Sequence, residues 1–220
     1  MNRTFDFYEY AGFIIPGAVL TLGLLLFFPE SRALFSKNGI TFGELGLFVV
    51  VAYAAGQLIQ GVGNFVEWLW WKPWGGMPSN RMLAGHYLSA EQYKRLIEAL
   101  KRDPRLGRDL TMSDKAEYGE IVREVYAIVS GVGKAARVDT FNGNYGLLRG
   151  LAAAFGALVI VAFVLGKELY VVAVLAILLL FAVQRMHRFA VHYATELFTQ
   201  YLLLSNDSAV RPDSKLQQQA

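Results

Sequence analysis

The chain has 220 residues, 55% of them hydrophobic, with a mean hydropathy of +0.35, too apolar for an ordinary soluble domain of that length. Charged residues make up 18% and the net charge is +3, a mild excess that fits a surface near anionic lipid and does not by itself imply nucleic acid. There is no cysteine, so disulfides, thiolate catalysis and cysteine metal sites are excluded. The apolar residues gather in long runs, which predicts an all-α, polytopic membrane protein with about four transmembrane helices and a cytoplasmic helical insert.

Residues 1–10 carry one basic residue, Arg3, then Phe5, Asp6, Phe7, Tyr8, Glu9 and Tyr10. A secretory leader would start more basic and show a small-residue cleavage site, so the reading is an uncleaved anchor with interfacial aromatics. Residues 11–28 form the first span, with a kink expected at Pro16-Gly17 and a stop at Pro29. A short loop holds Arg32 and Lys37. Thr41 and Glu44 then read as a capping box that opens the second helix.

That helix contains the most informative pattern. Gln57, Gln60, Asn64 and Glu67 follow at steps of three, four and three, which keeps them on one side of a helix, with Ala52, Gly56 and Gly63 near them. Amides and a carboxylate do not face lipid alone, so the line calls for another helix, another copy or water. It is read as pore-lining or as interhelical glue, with Arg149 pairing to Glu67 or snorkelling to headgroups. Trp68, Trp70, Trp71 and Trp74 mark the helix exit and suit an interfacial belt.

Residues 75–85 read as a loop, and Ser89 with Gln92 as a second capping box opening a helix to about Arg102, closed by Pro104. A third box is expected at Thr111–Asp114. It precedes a helix whose apolar face holds Tyr118, Ile121, Val122, Val125, Ile128, Val129 and Val132. Residues 147–166 form the third span and 169–183 a short fourth one, broken by Gly166-Lys167-Glu168. The last helix continues to Leu204 as an amphipathic extension that lies on the membrane, packs on the insert or bundles with copies. The expected divisions are 1–74, an N-terminal transmembrane pair; 75–146, the insert; 147–204, a transmembrane hairpin with its extension; and 205–220, a disordered tail. A three-span alternative lays the fourth run on the surface. Arg3, Lys72, Arg81, Arg137, Arg149, Arg185 and Arg188 fall on one side against Arg32, Lys37 and Lys167. Both termini and the insert are therefore expected in the cytoplasm.

Chemistry is sparse. His187 and His192 are five apart, off the spacing of a zinc pair, and no nucleophile elbow, phosphate-binding loop or metal motif occurs, so no cofactor and no enzyme are expected. In the insert, Lys94, Arg95, Lys101, Arg102, Arg105 and Arg108 form a basic cluster that could hold phosphates of a nucleotide or oligonucleotide. Interspersed acids favour a solvated face near anionic lipid instead.

The aromatic-acidic start Asp6-Phe7-Tyr8-Glu9-Tyr10, the Ile15-Pro16-Gly17-Ala18 segment, the helical insert and the final membrane hairpin together resemble small membrane effectors of bacterial anti-phage systems. The likeness is to the Hailong type, in which a membrane channel protein is paired with a nucleotidyltransferase. It implies a homo-oligomeric channel, possibly a tetramer, in the bacterial inner membrane. The partner's oligodeoxyadenylate product would hold it shut, and its opening would collapse the membrane potential. The resemblance assigns no ligand-binding residue. The expectation is a gated oligomeric channel, against a non-conducting scaffold subunit or a lipid-modifying enzyme.

Overall fold

The computed structural model describes residues 7–28, 41–106 and 117–210. Among the described residues the regular structure is entirely helical: α1 Phe7–Phe27, α2 Phe42–Trp71, α3 Pro78–Leu83, α4 Ala90–Arg102, α5 Tyr118–Gly131, α6 Ala136–Val164 and α7 Leu169–Val210. Four helices are long and apolar enough to cross a membrane, over Tyr10–Phe27, Phe42–Trp71, Ala136–Val164 and Leu169–Asn206. The chain is a multi-pass membrane protein. It divides into two compact units, one made of Met1–Pro73 and Asn142–Phe189, the other of Trp74–Phe141 and Ala190–Ala220.

In the first unit, α1 and α2 meet backbone to backbone. A Cβ placed on Gly17 would overlap the Ala52 carbonyl oxygen, and one on Gly56 would overlap the Phe13 carbonyl oxygen. Small residues permit this approach, which substitutes for the hydrophobic effect that lipid does not supply. Pro16 sits inside α1 and packs against Gly150 of α6, where an added Cβ would stand 2.8 Å from Pro16 Cγ. The Pro16-Gly17 pair thus fits α1 against two neighbouring helices. At the α6–α7 turn, Gly166 adopts a positive φ of 61°. Lys167 Nζ donates to the Phe27 carbonyl at 3.1 Å, which satisfies one end group of α1.

The second unit has its own core. Met82, Leu83, Leu96, Leu100, Ile121, Val125 and Val129 pack with Val138 of α6 and with Leu197, Phe198 and Tyr201 of α7. Of the three fates open to the amphipathic extension, packing on the insert is the one observed. The capping boxes at Thr41/Glu44 and Ser89/Gln92 are both formed. The box expected at Thr111–Asp114 lies outside the described residues, as does Arg108.

Three expected boundaries shift. The loop over 75–85 contains α3, started by Pro78 at its first position, where a missing N–H costs nothing. α6 begins at Ala136, so the expected end of the insert forms its first turns. α7 runs to Val210, six residues into the stretch read as disordered.

The Tyr201 hydroxyl donates to Asp103 Oδ2 at 3.0 Å, and Arg105 grips the same carboxylate at 2.8 and 2.7 Å. The Arg105 hydrogen bonds hold the Asp103 carboxyl below its ordinary value of 3.8, against the opposing effect of burial. A depressed carboxylate stabilises above its unfolded pKa and loses that contribution as pH falls through the folded one. Acid unfolding of the insert is therefore expected to begin below about pH 4, and Asp103→Asn should flatten that acid limb, as followed by circular dichroism across pH 2–6. Phe198 is 1% exposed, and Phe198→Ala is expected to cost about 3–5 kcal/mol, read as a lower midpoint for thermal unfolding.

Candidate functional site

At about 100° per residue, the steps along α2 place Gln57 and Asn64 within about 20° of each other, and Gln60 and Glu67 likewise. The two pairs stand about 60° apart. The polar line is therefore a seam with two edges, and the structure treats them differently.

The inner edge is closed within the chain. Gln60 Nε2 donates to the carbonyls of Gly12 in α1 at 2.9 Å and Gly146 in α6 at 3.2 Å. Arg149 of α6 donates through Nη2 to Gln60 Oε1 at 3.2 Å and through Nη1 to Glu67 Oε2 at 2.6 Å. The Arg149 and Glu67 side chains are 24% and 20% exposed. Glycines make the room: a Cβ on Gly63 would stand 3.2 Å from Arg149 Cγ, and one on Gly150 would stand 2.7 Å from Gln60 Nε2. Of the two alternatives for Arg149, the structure shows the pair with Glu67. Its Nε is buried with no hydrogen-bond partner among the described residues.

Beyond the ion pair, Trp71 Nε1 donates to the Tyr145 hydroxyl at 3.1 Å, and Trp70 Nε1 donates to His187 Nδ1 at 3.3 Å. The Trp71 and His187 rings lie 4.9 Å apart. The belt reading fits Trp68 and Trp74, at 55% and 43% exposed, but not Trp71, which is 3% exposed and part of the core. Tyr145 escaped the sequence reading and His187 was weighed there only as a metal ligand, since their partners lie 74 and 117 residues away.

The outer edge is open. Gln57 and Asn64 are exposed, and their side chains make no hydrogen bond among the described residues. Gly61 lies between them, and a Cβ there would meet nothing within 4 Å. This edge carries two amides and a gap beside exposed Leu58, Val62 and Phe65.

Three of the six cations in the insert's basic cluster have an acid partner. Arg95 pairs with Glu91 at 3.0 Å, Arg102 with Glu98 at 3.6 Å and Arg105 with Asp103 at 2.7 Å. Lys94 and Lys101 are exposed, one side of α4 apart from the paired stripe, and have no acid partner among the described residues. No group of three metal-ligating side chains occurs among the described residues. No family model, no curated protein and no solved structure matches the chain.

Removing one half of this part-buried ion pair leaves the other charge without its partner, whereas replacing both by apolar groups is often neutral. Glu67→Gln is therefore expected to lower the yield of monodisperse protein in detergent, and Glu67→Leu combined with Arg149→Met to restore it. Size-exclusion profiles of the three proteins check this.

Proposed function

We propose that the protein is a homo-oligomeric membrane channel in which the outer edge of α2, with Gln57, Gly61 and Asn64, faces a water path shared between copies. The observation that carries this reading is the division of the polar line. Interhelical bonding accounts for Gln60 and Glu67, because their partners lie in the same chain. It does not account for Gln57 and Asn64, which stay exposed along a helix apolar enough to cross a membrane. An amide left in hydrocarbon forfeits hydrogen bonds worth several kcal/mol. Four helices of one chain enclose too little space for water, whereas repeated copies of α2 around an axis give every amide water or a neighbouring amide.

The insert offers such a channel a place of control. α6 and α7 are unbroken helices that belong to both units, so a ligand acting on the insert has continuous elements leading to the spans. The cytoplasmic placement follows from the excess of basic residues on that side. A nucleotide or oligonucleotide would meet Lys94 and Lys101, the cations of the cluster that keep no acid partner among the described residues. The setting of bacterial anti-phage defence rests on the resemblance to Hailong-type channel proteins. So do an oligodeoxyadenylate made by a partner nucleotidyltransferase and depolarisation as the outcome.

One observation favours a second reading, a non-conducting scaffold. The open space at Gly61 between two amides also suits close packing of α2 on a second copy without a pore. Planar-bilayer recording and the detergent-extracted mass, measured on the same sample, separate the two. Gln57→Leu with Asn64→Leu is expected to abolish discrete current steps while leaving the oligomer's mass unchanged. Loss of assembly in that variant would favour the packing seam, and a silent wild-type oligomer would overturn the channel. Gln60→Leu is expected to reduce recovery of folded protein instead.

A further inference from the structure

The outer edge of α2 continues beyond its amides. At about 100° per residue, Val50, Ala54 and Trp68 lie within about 20° of Gly61, and Gln57 and Asn64 within about 60°. All six are exposed. Lys72 is the next member of this stripe, about 20° from Gly61. As the C-cap it keeps helical angles, φ −55° and ψ −50°, and its N–H still bonds to the Trp68 carbonyl. The packed residues of α2 lie opposite: Ala52 and Gly56 against α1, Gly63 against α6, and Trp70 against His187 of α7. Trp70 is about 160° round the helix from Lys72. Lys72 thus stands with the exposed amides and away from the helices that α2 packs on.

The charges of α2 divide in the same way. Its two carboxylates are turned from Gly61, Glu44 by about 100° and Glu67 by about 120°. Both are engaged. Glu44 accepts from the Thr41 N–H at 2.7 Å and from its hydroxyl at 2.9 Å, and Glu67 accepts from Arg149. Lys72 is exposed and has no acid within ion-pair distance among the described residues. Its Nζ lies 4.9 Å from the centre of the Trp68 ring, which holds the ammonium over the stripe without cancelling its charge. The stripe therefore presents neutral amides and, at the end where the chain leaves for the insert, an ammonium. An amide offers N–H to anions and C=O to cations, so it does not sort ions by sign. A ring of ammonium groups does.

We infer that the water path proposed for α2 favours anions, and that Lys72, repeated in each copy, forms the ring that selects them. This rests on the channel reading and names the class of ion such a channel passes. The ring concentrates small anions such as chloride at one mouth and repels cations. Because the ammonium is exposed, salt screens it, so the preference weakens as ionic strength rises.

The test is the reversal potential of the full chain in planar bilayers under a tenfold KCl gradient. Chloride is expected to permeate about fivefold better than potassium, the factor that one unit charge at about 4 Å in water confers. The ratio should fall toward one as the salt is raised from about 0.1 M to about 1 M. Lys72→Gln should bring it close to one, Lys72→Glu should invert it and Lys72→Arg should keep it. Arg185→Gln should leave it unchanged, since Arg185 lies about 160° round α7 from His187, the residue that meets α2. Wild-type current without a chloride preference overturns the assignment of anions, and needs no variant to fold. A preference that survives Lys72→Gln overturns the assignment of Lys72. A wild-type protein that passes no current overturns the channel reading and this inference with it.

Discussion

The membrane unit depends on one constraint: a charge taken into hydrocarbon must bring its partner along. Arg149 and Glu67 meet at 2.6 Å between α6 and α2, and the surrounding residues are arranged to allow it. Gly63 leaves room for the arginine stem, Gly150 for the Gln60 amide, and Gln60 links the pair to carbonyls of α1 and α6. Such a pair adds little net stability over well-packed apolar residues. Its effect is on register. Sliding α2 by one turn along α6 would strand both charges, so the ion pair selects one arrangement among several that greasy helices would accept.

Once the inner edge is committed in this way, the outer edge acquires meaning. The same heptad spacing that brings Gln60 and Glu67 to Arg149 carries Gln57 and Asn64 to the other side of the packing boundary. Their exposure follows from the chain's own closure, and only a further molecule or water can satisfy them. At the far end of α7 the logic is that of a soluble protein. Leu197, Phe198 and Tyr201 enter the insert's core, so one helix contributes its first half to the membrane unit and its second half to the core of the other. The insert is thereby more than a loop between spans, which suits the role of sensor proposed for it.

Much of the fold was legible because its signals are local. Four apolar runs, and capping boxes built from residues three apart, can be read from neighbouring positions, and both boxes in described residues are formed. The candidate site was legible only in part. Its residues share one side of α2, but where the packing boundary falls between them depends on Gly12, Gly146 and Arg149, which lie far along the chain. Trp71 has the side chain of a belt residue, yet Tyr145 and His187 make it a core residue. Arg95, Arg102 and Arg105 of the basic cluster matched a phosphate site by type, but each has an acid beside it one turn away or closer. Pro78 is a start signal for α3 inside the stretch read as a loop.

The most direct measurement of a water path along α2 uses the absence of native cysteine. Single Gln57→Cys, Gly61→Cys and Asn64→Cys proteins in lipid vesicles would be exposed to a charged, membrane-impermeant thiol reagent, beside Leu58→Cys, Val62→Cys and Phe65→Cys. Reaction at 57, 61 and 64 with protection at 58, 62 and 65 is the expected pattern. Protection of all six positions, or equal reaction at all six, would contradict a water-facing edge on α2.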